Sequence, residues 1–72
     1  MEDIKQAVGL RLKESRRMKH MTQAQVAALL YMTQQQYSRF ENGIYELNYQ
    51  QIVFLCTLYD ISSDFLLGLS KY

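Results

Sequence analysis

Four side chains in the middle of this chain carry its most specific chemistry: Gln34, Gln35, Ser38 and Arg39. At about 100° per residue they share one arc of a helix, while Tyr37 and Phe40 point the other way. A glutamine amide offers a donor and an acceptor side by side, and an arginine guanidinium offers a rigid fork of donors. Groups of this kind make paired hydrogen bonds to base edges, glutamine with N6 and N7 of adenine and arginine with O6 and N7 of guanine. A solvated helix surface is equally polar, so an inert face is the alternative reading of the same arc.

Catalysis has little to work with. His20 is alone and stands where a helix stops, a position at which histidine tolerates the left-handed conformation better than most residues. Cys56 falls on an apolar stripe with no charged or histidine neighbour at helical spacing to lower its pKa. Gly9, Gly43 and Gly68 are isolated, and the chain has no GxSxG, no Walker loop and no HExxH. One histidine and one cysteine do not make a zinc site of four protein ligands. No enzyme activity, metal or cofactor is expected.

The polar arc needs elements to hold it, and these are marked by a recurring unit. An apolar residue, a capping residue and, four places after the cap, a second apolar residue occur at Met21, Thr22, Val26, at Met32, Thr33, Tyr37, at Leu47, Asn48, Ile52, and at Ile61, Ser62, Leu66. In the first three, Gln25, Gln36 and Gln51 stand where a capping box needs a side chain to reach back, and the apolar pairs fit a hydrophobic staple. Helices are expected over about 4 to 18, 23 to 30, 34 to 41, 49 to 59 and 63 to 69. Ile4, Val8 and Leu12 line one face of the first, which ends before His20, and Asn42-Gly43 ends the third. The second and third starts are eleven residues apart, joined by Tyr31-Met32-Thr33, which is the spacing of a helix-turn-helix over 22–42. Such a unit commonly sets its second helix in DNA.

The last two helices, over 49–69, are apolar on more than one side. Ile52, Leu55, Cys56 and Tyr59 form a core stripe, yet Val53, Phe54, Leu58, Phe65, Leu66, Leu67 and Leu69 add more apolar surface than small helices bury within one chain. A homodimer seam through Phe54, Leu58, Leu66 and Leu69 is the expected outlet, with a fully buried C-terminal half as the alternative.

With 72 residues, the chain has room for a single domain and no separate effector domain. Its net charge of +1 divides unevenly: residues 1–20 hold six of the eight basic residues against Glu2, Asp3 and Glu14, giving +3, and the remainder sums to −2. A local basic segment can attract phosphate. One cysteine excludes an internal disulfide, nothing resembles an export leader, and the longest apolar run is far too short to span a bilayer. A cytoplasmic protein without a membrane role is expected.

The capped pair Thr22-Gln23 and Thr33-Gln34, the ending Phe40-Glu41-Asn42-Gly43 and the tail Ile61-Ser62-Ser63-Asp64-Phe65-Leu66-Leu67-Gly68 resemble the lambda/434 repressor and Cro-like (XRE-type) helix-turn-helix family over about residues 8–68. The resemblance implies an all-α, compact five-helix lambda-repressor-like domain and a regulator, most often a repressor, that binds double-stranded DNA. By the same resemblance Gln34, Gln35 and Arg39 read bases, Ser38 contacts backbone or a thymine methyl, and Thr22, Gln23, Thr33 and Asn42 contact phosphate. It further implies a partly buried salt bridge between Arg16 and Glu41. Arg11, Lys13 and Arg17 read as solvated charges near DNA.

Three departures from the family pattern stand out. Tyr31 occupies a turn position where glycine is usual, which implies backbone strain or an altered turn. Ile44-Tyr45-Glu46 replaces the basic residues that commonly follow Gly43, implying modest affinity per monomer and reliance on dimerisation. Ser15 stands in place of a core leucine, and Met18 is the expected gap-filler. A protein-interaction module, such as an antitoxin or adaptor binding a partner through its apolar helices, is the competing function.

Overall fold

The computed structural model describes residues 3–70 and contains five helices: α1 (Ile4–Met18), α2 (Gln23–Leu29), α3 (Gln34–Glu41), α4 (Tyr49–Tyr59) and α5 (Ser63–Leu67). The architecture is all-helical, with no strand among the described residues. Each helix starts on a side-chain cap. Thr22, Thr33 and Asn48 form complete capping boxes with Gln25, Gln36 and Gln51. Ser62 accepts from the Phe65 N–H at 3.0 Å, and Asp3 accepts from the Lys5 N–H at 3.0 Å. These bonds satisfy donors that a helix N-terminus otherwise leaves open.

All five helices also end alike. A residue with positive φ follows each: His20 (56°), Tyr31 (57°), Gly43 (73°), Asp60 (55°) and Gly68 (81°). The next N–H then turns back to a carbonyl five positions earlier: Met21 to Arg16, Met32 to Ala27, Ile44 to Arg39, Ile61 to Cys56 and Leu69 to Asp64, at 2.7–3.2 Å. This reversal drops Met21, Met32 and Ile61 against the core. Each of these also immediately precedes the next cap, so one apolar side chain closes a helix and staples its successor. The recurring apolar–cap pair is the trace of that double use. Three of the five left-handed positions lack glycine, and Tyr31 among them ends α2 with the same reversal that Gly43 and Gly68 give α3 and α5.

The core consists of Leu12, Val26, Ala27, Tyr37, Phe40, Leu55, Tyr59 and Leu66, with α1 packed on α3 and α5, α2 on α3, and α4 on α5. At its centre the Tyr37 and Tyr59 hydroxyls hydrogen-bond at 2.6 Å, which lets two buried phenols share one polar contact. Gly9 permits a close approach of α1 to the end of α3: a Cβ there would lie 2.4 Å from the Glu41 carbonyl oxygen.

Several expectations are corrected. Leu66 is not a surface residue; it is fully buried, because α5 folds inward on α1 and α4. Leu58 is half-buried against the core. Ile4 is exposed, since the first turn of α1 runs beyond the packed region. Met18 is 78% exposed and does not fill the space beside buried Ser15; it lines an open groove there together with Ser15, Tyr59, Ile61 and Phe65. The second helix ends at Leu29 and the fifth at Leu67, one and two residues earlier than expected, because Tyr31 and Gly68 take left-handed conformations.

Candidate nucleic-acid interface

The α2–turn–α3 unit is fixed from beneath by a polar cluster that reaches back to α1. Arg16 Nε lies 2.7 Å from Glu41 Oε2 and Nη2 lies 3.1 Å from Oε1, a bidentate fork between side chains that are 11% and 1% exposed. Arg16 Nη1 donates to the Met21 carbonyl at 2.9 Å, so the same guanidinium also ties the turn that opens α2. Gln23 Nε2 donates to Glu41 Oε1 at 3.0 Å, and Gln34 Nε2 donates to Gln23 Oε1 at 3.4 Å. The first residues of α2 and α3 are thereby chained to the ion pair. Burial pushes the Glu41 carboxyl up, but hydrogen bonds from Arg16 and Gln23, the Tyr37 hydroxyl and the charge of Arg16 outweigh it and hold the group below its usual range.

On the outer side of α3, Gln34, Gln35, Ser38 and Arg39 line one shallow hollow. Gln34, Gln35 and Arg39 are exposed and Ser38 is half-buried, while Tyr37 and Phe40 are in the core. Helical spacing and the apolar anchors Tyr37 and Phe40 together produce this division. Asn42 is exposed and its Nδ2 donates to Ser38 Oγ at 3.2 Å. Thr22 and Thr33 are exposed, each with its hydroxyl oxygen accepting from its own capping box. Gln23 is half-buried and its amide is shared between Glu41 and Gln34, a use that sequence spacing alone does not reveal.

Arg11 departs from its expected place. It is half-buried and donates to the Leu66 carbonyl at 3.3 Å, holding the end of α5, where a cation complements the helix dipole. Lys13 is half-buried as well, and of the three expected solvated charges only Arg17 is exposed, near the end of α1. The loop after α3 carries a contact that sequence reasoning passed over. Tyr45 accepts from Arg39 Nη1 at 3.2 Å, and the Arg39 guanidinium carbon lies 5.5 Å from the Tyr45 ring centre.

Other chemistry is not assembled among the described residues: no group of three His, Cys, Asp or Glu side chains is placed to hold a metal ion. Burial pushes the Cys56 thiol up, opposite to the direction of an activated nucleophile. No helix among the described residues is long and apolar enough to cross a membrane. The apolar surface that remains outside includes Tyr49, Val53 and Leu69, with Phe54 at 37% exposure.

No curated protein matches the chain. A family description, helix-turn-helix, matches residues 12–66, from the middle of α1 to the last turn of α5. Its span takes in the capped α2–α3 pair, the Arg16–Glu41 fork beneath it and the exposed polar arc on α3, and the chain belongs to the Cro/C1-like (XRE-type) helix-turn-helix family of DNA-binding regulators.

Proposed function

We propose that this chain is a sequence-specific repressor that acts in the cytoplasm and binds a pseudo-palindromic operator as a homodimer, with α3 of each copy in the major groove and half-sites about 34 Å apart. In this reading Gln34 and Gln35 pair with adenine edges, Arg39 pairs with guanine, and Ser38 contacts backbone or a thymine methyl. Thr22, Gln23, Thr33 and Asn42 meet phosphates and set the register. The observation that carries the reading is the polar arc of exposed Gln34, Gln35 and Arg39 with half-buried Ser38, on a helix whose opposite face is locked into the core. Side chains on such a helix keep their relative positions, which base recognition requires.

Dimerisation supplies affinity that the monomer lacks, because Ile44-Tyr45-Glu46 brings no cation to the phosphates after α3. Phe54 and Leu69 form the proposed seam, with Leu58 at its inner edge and Tyr49 and Val53 extending it. Selection of bound sequences from a random duplex pool at physiological salt, with competitor DNA, tests the reading. An inverted repeat whose preferences change in Gln34→Ala and Arg39→Ala supports it, and an unenriched pool rejects it.

A protein-interaction module, such as an antitoxin or adaptor, is the second reading. The exposure of Val53 (67%) and Leu69 (76%) favours it, since these side chains suit a foreign partner as well as a second copy. Sedimentation equilibrium separates the two: a dimer weakened by Phe54→Ser supports the first, and a monomer at every concentration supports the second.

A further inference from the structure

The loop after α3 has no basic residue, yet it is tied closely to one. The Ile44 and Tyr45 N–H groups both donate to the Arg39 carbonyl, at 2.8 and 3.2 Å, so the backbone folds back over Arg39. The Tyr45 ring meets the buried ring of Phe40 edge to face, with centres 5.9 Å apart and planes at 69°. Phe40 is 6% exposed, so Tyr45 stands on the core while remaining 44% exposed itself. From this footing its hydroxyl accepts from Arg39 Nη1 and its ring lies beside the guanidinium.

One N–H of Nη1 is therefore engaged, and among the described residues Nε and Nη2 of Arg39 make no hydrogen bond. Arg16 divides its guanidinium in the same way within this molecule. Its Nη1 is held by the Met21 carbonyl, and its Nε–Nη2 edge forks onto the two oxygens of Glu41. The O6–N7 pair of guanine offers an arginine fork two acceptors just as a carboxylate does.

We infer that Tyr45 is a positioning residue for base recognition: it holds Arg39 by Nη1 and leaves the Nε–Nη2 edge as the fork for a guanine. The inference rests on the proposed role of Arg39 at a base edge. Holding an arginine before binding removes part of the ordering cost that a free side chain would meet at the interface. Discrimination at one base position thus depends on a tyrosine that itself need not touch a base.

Two arms test this on the full chain. In the first, ¹⁵N relaxation of the Arg39 Nε–H is measured in the free protein. A restricted side chain that becomes mobile in Tyr45→Ala is expected, and equal mobility in both overturns the inference. In the second, sequence selection is repeated with Arg39→Ala, Tyr45→Ala and Tyr45→Phe. Expected is a guanine preference that Arg39→Ala abolishes and Tyr45→Ala weakens by about 2- to 10-fold, with other positions and non-specific affinity held within about twofold. Tyr45→Phe keeps the ring on Phe40 and loses only the hydroxyl, so an intermediate loss at that one position is expected. An unchanged guanine preference in Tyr45→Ala overturns the inference, as does a uniform loss at all positions together with non-specific binding. A wild-type selection without any motif rejects the DNA reading itself and the inference with it, whatever the relaxation arm returns.

Discussion

Replacing Glu41 by alanine should destabilise the fold far more than an ordinary surface change, because it strands a charge. Arg16 is 11% exposed and keeps only the Met21 carbonyl as a partner once the carboxylate is gone. Removing one member of a buried pair costs about 3–5 kcal/mol, and the remaining exposure of Arg16 places this case near about 3 kcal/mol. A domain of this size has a total stability of about 4–11 kcal/mol. The loss is thus a large share of the whole, and a fall in Tm of about 12–24 °C is expected in thermal unfolding followed by circular dichroism at 222 nm.

The double variant Arg16→Met with Glu41→Leu removes both charges together and should come back to within about 1 kcal/mol of wild type, since an apolar pair avoids desolvating two ions. Yet it should lose selective DNA binding, because Gln23 then lacks the acceptor that orients it, and Gln34 is chained to Gln23. Stability recovered with recognition lost is the signature of an orienting ion pair. A Glu41→Ala effect below about 1 kcal/mol would refute the reasoning. So would a double variant as unstable as the sum of its singles, which would mean the two sites are not coupled. The pH dependence carries a sign as well. The folded Glu41 carboxyl lies below its ordinary 4.5, so its contribution is fully present above that value and is lost as pH falls through the folded pKa. Glu41→Gln should flatten that part of the acid unfolding curve.

Three further outcomes follow from other parts of the fold. Tyr31 is 97% exposed at φ 57°, so Tyr31→Gly should raise stability by about 0.5–1 kcal/mol in urea unfolding, the left-handed relief exceeding the added freedom of the unfolded chain. Gly9→Ala should cost about 2 kcal/mol, because its Cβ would meet the Glu41 and Phe40 carbonyl oxygens at 2.4 and 2.6 Å and backbone must move; a neutral result in the same assay would contradict the packing of α1 on α3. Burial raises both core phenols, Tyr59 to about 12 and Tyr37 further, while an unfolded tyrosine ionises near 10. The contribution of these two groups should therefore be intact below pH 10 and fall above it, and absorbance at 295 nm should show these two tyrosines ionising together with unfolding.

Much of this architecture is legible in the chain alone. Caps act over three or four residues and core faces repeat every three or four, so the starts of α2, α3, α4 and α5 and the polar arc on α3 follow from local spacing. Left-handed helix ends at His20 and Gly43 are local for the same reason. The Arg16–Glu41 pair joins residues 25 positions apart and entered only through likeness to a family. Which apolar faces meet is a different kind of question. Leu66 and Leu69 look alike in sequence, yet one is fully buried and the other 76% exposed, because Leu66 docks with α5 on α1 and α4 whereas Leu69 lies past the left-handed Gly68 that ends the helix. Arg11 became an anchor for α5 and Tyr45 closed on Arg39 because a partner distant in sequence, or a loop reversal, brought the contacting atoms together. Hydrogen bonds to near neighbours wrote the helices into the sequence, and the mutual packing of five short helices determined what each side chain touches.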